Sequence, residues 1–494
     1  MPEKRTDRPK ARVPRGFRDR GAAEIAAERA CLDTLRRVFE AWGFEALETP
    51  AFEYTEALGK FLPDLDRPNE GVFSLLDDDG QWLSLRYDLT APLARYVAEN
   101  FQILPKPFRR YQVGSVWRNE KPGPGRYREF TQFDADTVGS ASPAADAELL
   151  LMASDALEAL GLGRDEFILK FNSRRLLDGV LESCGLALDG SREAQLKRGV
   201  VLRAIDKLDR LGISGVRALL GEGRKDESGD FTQGAHLSSA QIQKIESFVV
   251  STQDSEHNLE SLRALVAGIP VGEQGLAELA AIELLTMSHG RVRFDPSIVR
   301  GLEYYTGAVF EAQLTFPVKN DEGDPVVMGS VAGGGRYDDL VARFTGERVP
   351  ATGISIGVSR LLNALRQRNG SALSPLVVVL ALDKEDRGRS FALASELRGA
   401  GIRSEAYVGE GGMKAQFRYA DRRNAALAII EGADERARGE ITIKDLAAGA
   451  ELAKSVDSRA EWVKDRPAQI SVPRTELVAK AKELLGSRAS TNSA

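Results

Sequence analysis

Cysteine and histidine are scarce in this chain. Its 494 residues hold two cysteines, Cys31 and Cys184, and three histidines, His236, His257 and His289. Two cysteines are too few for a disulfide framework and fit a reducing cytoplasm. Three histidines nearly exclude a His-built metal site and argue against Ser-His-Asp nucleophilic catalysis. No apolar run approaches the roughly 20 residues of a membrane span, and no apolar signal segment opens the sequence. The expectation is a cytoplasmic protein that does not enter a membrane. Neither sign of charge dominates. Lys+Arg 67 against Asp+Glu 73 gives −6, so a polyanionic partner must be met by a local basic patch. No strand–GxGxxG–helix unit and no Walker lysine motif occur, so any ATP binding is of neither the Rossmann nor the P-loop kind. What remains is ordinary: 43% hydrophobic and 28% charged residues, ample for a core, in a length that suggests about three domains.

Residues 1–20 carry eight Lys/Arg against Glu3, Asp7 and Asp19. This leader reads either as a solvated segment or as a nucleic-acid contact. From Ala22 to Trp42 apolar residues recur at helical spacing and Gly43 follows where a helix C-cap glycine sits. Phe44–Leu47 reads as a short strand ending before Pro50. Val72–Leu76 and Trp82–Arg86 flank the turn Asp77-Asp78-Asp79-Gly80, a hairpin signal. Phe108–Arg118 and Tyr127–Asp136 are two more strands, and Ala144–Leu160 is a helix. This mixture predicts an α+β architecture on a largely antiparallel sheet. Residues 172–290 have helical periodicity and almost no strand signal, and read as a helical insertion. Strand-and-glycine texture returns over 291–366, closing on a helix from Ile354 to Leu365. A polar linker around 366–374 then leads to 375–494, where strands and helices alternate as in a small α/β domain with a parallel or mixed sheet.

The most informative stretch is Arg109 to Asp136. A strand delivers Arg118, a basic glycine-containing loop follows, and a second strand delivers Gln132 and Asp136. Arginine forks pair with phosphate oxygens and glycines allow close backbone approach, so the hairpin suits phosphates or is simply a solvated, charged turn. Residues 132, 134 and 136 share parity, and Asp134 and Asp136 on one face must look into water or a polar cavity. Asp88 and Thr90 stand before Pro92 at a helix start; spacing favours a cap over a ligand contact. Arg300-Gly301-Leu302-Glu303-Tyr304-Tyr305-Thr306-Gly307 offers a cation and two hydroxyls, although strand tyrosines are more often packing residues. Gly333-Gly334-Gly335 before Arg336-Tyr337 requires unusual backbone angles or very close approach. Arg360 lies in the first turn of a helix, where the macrodipole favours anions, so a bound anion there explains it better than decoration does.

Taken together, Pro50 after a helix and strand, the Arg118 hairpin and the Gly–Arg360 helix resemble the three signature motifs of class II aminoacyl-tRNA synthetases. RGLEYYTG (300–307) and AGGGRYDDL (332–340) are similar to two segments peculiar to histidyl-tRNA synthetases. MKAQFRYADRRNAALAIIEG (413–432) with ITIKDL (441–446) looks like that family's anticodon-binding domain. The resemblance runs from Arg15 onward. It implies a catalytic domain in two parts (1–171 and 291–366), a helical insertion (172–290) and an anticodon-binding domain (375–494). It further implies ATP-dependent ligation of L-histidine to tRNA(His) through a histidyl-adenylate, with Mg2+ accompanying ATP. By the same resemblance Arg118 and Arg360 hold ATP phosphates, and Arg300 contacts the reacting carboxylate and α-phosphate. Asp88, Thr90 and Gln132 bind the α-amino group. Asp136 and Tyr305 grip the imidazole, with Tyr304 and Tyr337 in the same pocket. The helix Ala22–Trp42 and the strand ending at Pro50 match the segment that forms the class II homodimer interface.

Three departures stand out against the family pattern: Glu303 where Asp is usual, Asp136 where bacterial members often have the longer Glu, and a short 119–126 loop. The competing reading is the non-catalytic paralog that regulates ATP phosphoribosyltransferase. Such a paralog lacks the C-terminal domain and the Arg-Gly-Leu segment, both present here. Near the end of the chain Lys414, Arg418 and Arg422 fall on one helical face, a stripe suited to tRNA phosphates or to plain solvation.

Overall fold

In the computed structural model the chain divides into two compact units, Met1–Arg368 and Asn369–Ala494. The structure describes residues 9–61, 71–123, 127–186, 191–225, 229–250, 258–299, 305–319, 325–327, 329–365, 373–382, 387–446, 448 and 468–491. Among these, no helix is long and apolar enough to cross a membrane. Most of the linker expected around 366–374 lies outside the described residues.

The first unit is built on eight strands: β1 (Glu45–Ala46), β2 (Phe108–Trp117), β3 (Glu129–Val138), β4 (Phe167–Ser173), β5 (Val292–Phe294), β6 (Ala308–Leu314), β7 (Ala332–Arg336) and β8 (Ala351–Gly357). They lie in the order β1-β2-β3-β8-β7-β6-β4-β5, antiparallel except for the parallel edge pairs β1/β2 and β4/β5. Strand alternation gives the sheet two unlike faces. One register row reads Tyr111, Ala135, Ile354, Gly334, Phe310 and Phe171, and the next Val113, Phe133, Ile356, Ala332, Ala312 and Leu169. This face is apolar and buried. The rows of opposite parity read Arg110, Asp136, Gly353, Gly335, Val309, Asn172 and Gln112, Asp134, Ser355, Gly333, Glu311, Lys170. That face is polar and glycine-rich.

Helices cover the apolar face. α1 (Ala22–Ala41) sets Leu35 and Phe39 against it, with the Phe39 ring edge-on to Phe133 at 4.9 Å. It ends in a Schellman turn: Gly43 at φ 79 donates to the Glu40 carbonyl, and Phe44 donates to Phe39. α2 (Thr90–Glu99) lies on the opposite, polar side, where Leu93, Ala94 and Val97 pack against Val138, Tyr337 and Ala351 at the end of the sheet. α3 (Pro143–Ala159) is capped by the Ser142 hydroxyl, which accepts from the Ala144 N–H, and buries Leu149, Leu150, Met152 and Ala153. After β4, which runs on to Ser173, come α4 (Arg174–Ser183), α5 (Arg192–Ile205), α6 (Leu208–Leu220), α7 (Ser239–Val250), α8 (Asn258–Leu265) and α9 (Pro270–Thr286). α9 returns to the sheet and shares its core through Leu276, Leu279 and Ile282. This largely helical span also contains an antiparallel pair, Gly223–Lys225 with Phe231–Gln233. Both strands are three residues long, too short to leave a periodic signal.

One element differs from the sequence reading. Ile354–Gly357 is the end of β8, and the helix α10 begins only at Val358 and runs to Leu365. Ile354 and Ile356 alternate with Gly353, Ser355 and Gly357, a period of two that the helical reading passed over.

The second unit has a five-stranded mixed sheet. β9 (Val377–Val379), β10 (Ser404–Ala406) and β11 (Leu427–Ile430) pair in parallel; β12 (Glu440–Asp445) and β13 (Gln469–Pro473) extend it antiparallel. α11 (Arg387–Gly399), α12 (Met413–Arg422) and α13 (Leu477–Thr491) accompany it.

Candidate active site

The polar face of the first unit's sheet concentrates charge where water does not reach. Asp134 and Asp136 are each 2% exposed and Arg110 is 0% exposed. Arg110 Nη2 lies 2.7 Å from Asp136 Oδ2 and donates to the Leu89 carbonyl at 3.0 Å. The Tyr337 hydroxyl donates to Asp136 Oδ1. Burial raises the Asp136 carboxyl above its ordinary value, while Arg110 and Tyr337 pull it back down. Asp134 is pushed up to about 7, first by burial and then by the neighbouring Asp136, with Arg110 and Ser355 opposing. Two glycines make this crowding possible. A Cβ on Gly353 would strike the Asp136 carboxylate, and one on Gly335 would sit 2.9 Å from the Tyr305 ring.

Gln132 is also buried, and its Nε2 donates to Ser355 Oγ at 2.6 Å. Gln132 Oε1 and Asp134 Oδ1 have no hydrogen-bond donor among the described residues. Buried acceptors are seldom left unmet in proteins, so this face is ready for a ligand that brings N–H donors. Asp88 stands close enough to raise both buried carboxyls. Its Oδ1 accepts from the Thr90 and Ala91 amides at 3.1 and 2.9 Å and so caps α2. Only Oδ2 remains for a ligand amine, with Thr90 half-buried beside it as the first residue of α2.

At the other end of the same face stand two of the sequence-identified arginines. Arg118 follows β2, its guanidinium 4.4 Å from the Tyr87 ring and 5.1 Å from that of Phe130, with Nε donating to the Tyr87 carbonyl. β8 ends at Gly357, opposite Gln132, and Arg360 follows in the first turn of α10, exposed, with Nη1 donating to the Ser330 carbonyl at 3.0 Å. From Gln132 to Asp136 the strand rises about 13 Å, at roughly 3.3 Å per residue. Arginines and acceptors therefore bracket an elongated floor. Arg300 and Tyr304 lie outside the described residues.

Likeness to known proteins runs the length of both units. Residues 16–361 match the family model for histidyl-tRNA synthetase, and residues 376–466 match that for an anticodon binding domain. The chain belongs to the histidyl-tRNA synthetase family. It is 54% identical to the histidine–tRNA ligase of Brucella ovis, covering 98% of both chains, and 54% identical to that of Caulobacter vibrioides, covering 97% of both. The crystal structure of histidyl-tRNA synthetase from Nostoc sp. PCC 7120 superposes with a TM-score of 0.71 at 28% identity, over 96% of this chain and 100% of that one. These curated relatives carry the ligase name, so the regulatory-paralog alternative finds no support in them.

Within this synthetase fold, several residues that shape the floor escaped the sequence reading. Arg110 is the main one. It shares parity with Gln112 and faces Asp136 across the β2–β3 hairpin. A signal existed: two acids on one buried strand face call for a cation on the neighbouring strand. Arg86 is another. Its Nε donates to the Ser115 carbonyl at 2.9 Å and Nη1 to the Thr49 carbonyl at 2.8 Å, joining the strand before Pro50 to β2. A third group flanks Tyr337. Arg336 pairs with Asp146 at 2.5 Å and lies 3.6 Å from Asp338, and Asp338 is 3.6 Å from Arg175.

In the second unit, α12 turns Gln416 and Ala420 inward, and Lys414, Arg418 and Arg422 are exposed on its outer side. None of these three makes an ion pair with a described residue. Their neighbour Arg423 is held by Glu405 at 2.9 Å.

Proposed function

We propose that the protein joins L-histidine to tRNA(His) at the cost of ATP. The histidine carboxylate attacks the α-phosphate, forming histidyl-adenylate and expelling pyrophosphate. The terminal ribose hydroxyl of the tRNA then takes the histidyl group and AMP leaves. The observation that carries this reading is the pair of undonated buried acceptors, Gln132 Oε1 and Asp134 Oδ1, beside the Asp136 carboxylate. Histidine brings matching donors, an α-ammonium and an imidazole N–H. Asp88, Thr90 and Gln132 take the ammonium, while Asp136, Tyr304, Tyr305 and Tyr337 enclose the ring. A pocket of buried polar groups rejects amino acids that leave those groups unpaired.

Arg300, Arg118 and Arg360 supply positive charge where negative charge builds on the α-phosphate and the departing pyrophosphate. Mg2+ enters as the ATP complex, on the substrate. Cys31 and Cys184 are buried and unpaired, in keeping with a reducing cytoplasm. A homodimer is supported by Phe52, Tyr54 and Leu75, exposed on one face of a small sheet that starts two residues after Pro50. Light scattering near twice 53.8 kDa would bear this out, and a single-chain mass would refute it. The activity is tested by histidine-dependent exchange of pyrophosphate into ATP and by charging of tRNA(His). Exchange without preference for histidine, or no charging, would overturn the reading.

A further inference from the structure

We infer that the basic N-terminal arm, residues 10–15, is a docking surface for the phosphate backbone at the acceptor end of the tRNA. This rests on the reading that tRNA is a substrate.

The arm is held against the tip of the β2–β3 hairpin. The Arg128 N–H donates to the Gly16 carbonyl at 2.8 Å, and the Arg118 N–H donates back to the Arg128 carbonyl at 2.8 Å. The Arg18 guanidinium lies 4.4 Å from the Tyr127 ring, and Phe17 packs on Phe73 at 5.8 Å. The arm's cations then divide into two sets. Arg18 and Arg20 are consumed by Glu24 and Glu28 of α1 and serve as fasteners. Lys10, Arg12 and Arg15 are exposed and pair with no acid among the described residues. On the hairpin tip Lys121 is likewise exposed and without an ion pair among the described residues.

This placement sets Arg15 next to the Gly16 anchor at the loop that follows Arg118, with Lys121 on that loop and Lys10 and Arg12 on the chain running up to it. A nucleic acid whose 3′ end reaches the adenylate must pass such a loop, and its backbone presents phosphates at regular spacing. Exposed cations without an ion pair among the described residues suit that partner: they act through counterion release and need no fixed geometry. A protein partner would call for an apolar centre among them. The arm offers only Val13, at 46% exposure, and so argues against that class.

The test is the triple variant Lys10→Glu, Arg12→Glu, Arg15→Glu in the full chain, with parent measurements alongside. None of the three belongs to the histidine or ATP site, so histidine-dependent pyrophosphate exchange should be unchanged. The KM for tRNA(His) should rise about tenfold or more. The slope of log KM against log salt should fall by about 2–3, the release expected from three phosphate contacts. Hydroxyl-radical footprinting should show protection of the acceptor-stem backbone by the parent that the variant loses, with protection around the anticodon retained. An unchanged KM and slope, or loss of protection only at the anticodon, would overturn the proposal. So would a matching fall in exchange and charging, which would make the arm a structural brace. If the parent itself fails to charge tRNA, the functional reading fails, and the arm's role with it.

Discussion

The floor around Asp136 and the outer side of α12 both concentrate charge, yet they solve opposite problems. On the floor, Arg110, Asp134 and Asp136 are almost wholly buried and are fixed by Leu89, Tyr337 and Ser355. On α12, Lys414, Arg418 and Arg422 are exposed and without ion pairs among the described residues. A small ligand with few contacts needs groups that are already desolvated and oriented, because each hydrogen bond must count fully. A polyanion makes many contacts and draws on long-range attraction, so its cations are best left hydrated and adaptable. Mutations should therefore act steeply and specifically on the floor, and shallowly and salt-dependently on the helix.

The sharpest break should come from Arg110. Arg110→Met leaves Asp134 and Asp136 buried without their cation, and loss of one partner of a buried pair costs about 3–5 kcal/mol. Urea unfolding should show a loss of that size, accompanied by weak histidine binding. A stability within about 1 kcal/mol of the parent would mean that the carboxyls are neutral and Arg110 is dispensable. Next is Arg300, argued from sequence alone. Arg300→Ala should lower pyrophosphate exchange by about 10²-fold or more, as removal of a preorganised charge from a transition state does. Near-normal exchange would remove it from the catalytic set.

Asp136→Asn keeps the shape but loses the acceptor-only carboxylate. The KM for histidine should rise roughly 10- to 100-fold, with the KM for ATP little changed. Equal rises in both would assign the residue to the scaffold. Asp134 gives a pH-dependent test. A carboxyl raised from 3.8 to about 7 holds a proton in the folded state that the unfolded chain releases near pH 4. Stability from this group is thus highest below pH 4 and falls as pH rises to about 7. Asp134→Asn cannot ionise and escapes that fall, so its Tm relative to the parent should improve from pH 5 to pH 8. A difference that is flat with pH would place the titration elsewhere. The smallest effect is expected on α12, where Lys414→Glu with Arg418→Glu should raise the KM for tRNA a few-fold and reduce its salt slope by about 2. Adenylation should be untouched, and parent-like charging at physiological salt would remove the helix from the RNA contact.

The architecture was open to sequence reasoning because strand alternation and helical periodicity are strong where one face is buried. The β2–β3 hairpin, α1 with its Gly43 stop, and the mixed sheet of the second unit all announce themselves in this way. Ile354–Gly357 was harder, since glycines on the polar side of β8 leave two isoleucines that fit either period. On the floor, the shared parity of Gln132, Asp134 and Asp136 was readable, but Arg110 was not. Next to Arg109 it looks like one more surface charge, and only the pairing of β2 with β3 sets it opposite Asp136. Tyr337 posed a similar difficulty, because its contact with Asp136 spans 201 residues of sequence.

Gly335 and Gly353 have a cost that falls in the unfolded chain and not in the folded one. A glycine in a strand gives up more backbone freedom on folding than an alanine would, by about 0.5–1 kcal/mol. Their Cβ positions are claimed by the Tyr305 ring and the Asp136 carboxylate. The space these two groups occupy is thus maintained by conformational entropy, surrendered each time the chain folds. An alanine at Gly353 would favour the folded backbone while denying the Asp136 carboxylate a place to lie; at Gly335, where φ is 155, it would also strain the backbone and meet the Ala308 carbonyl. At Gly353, making the strand easier to order and keeping the floor intact are opposed demands.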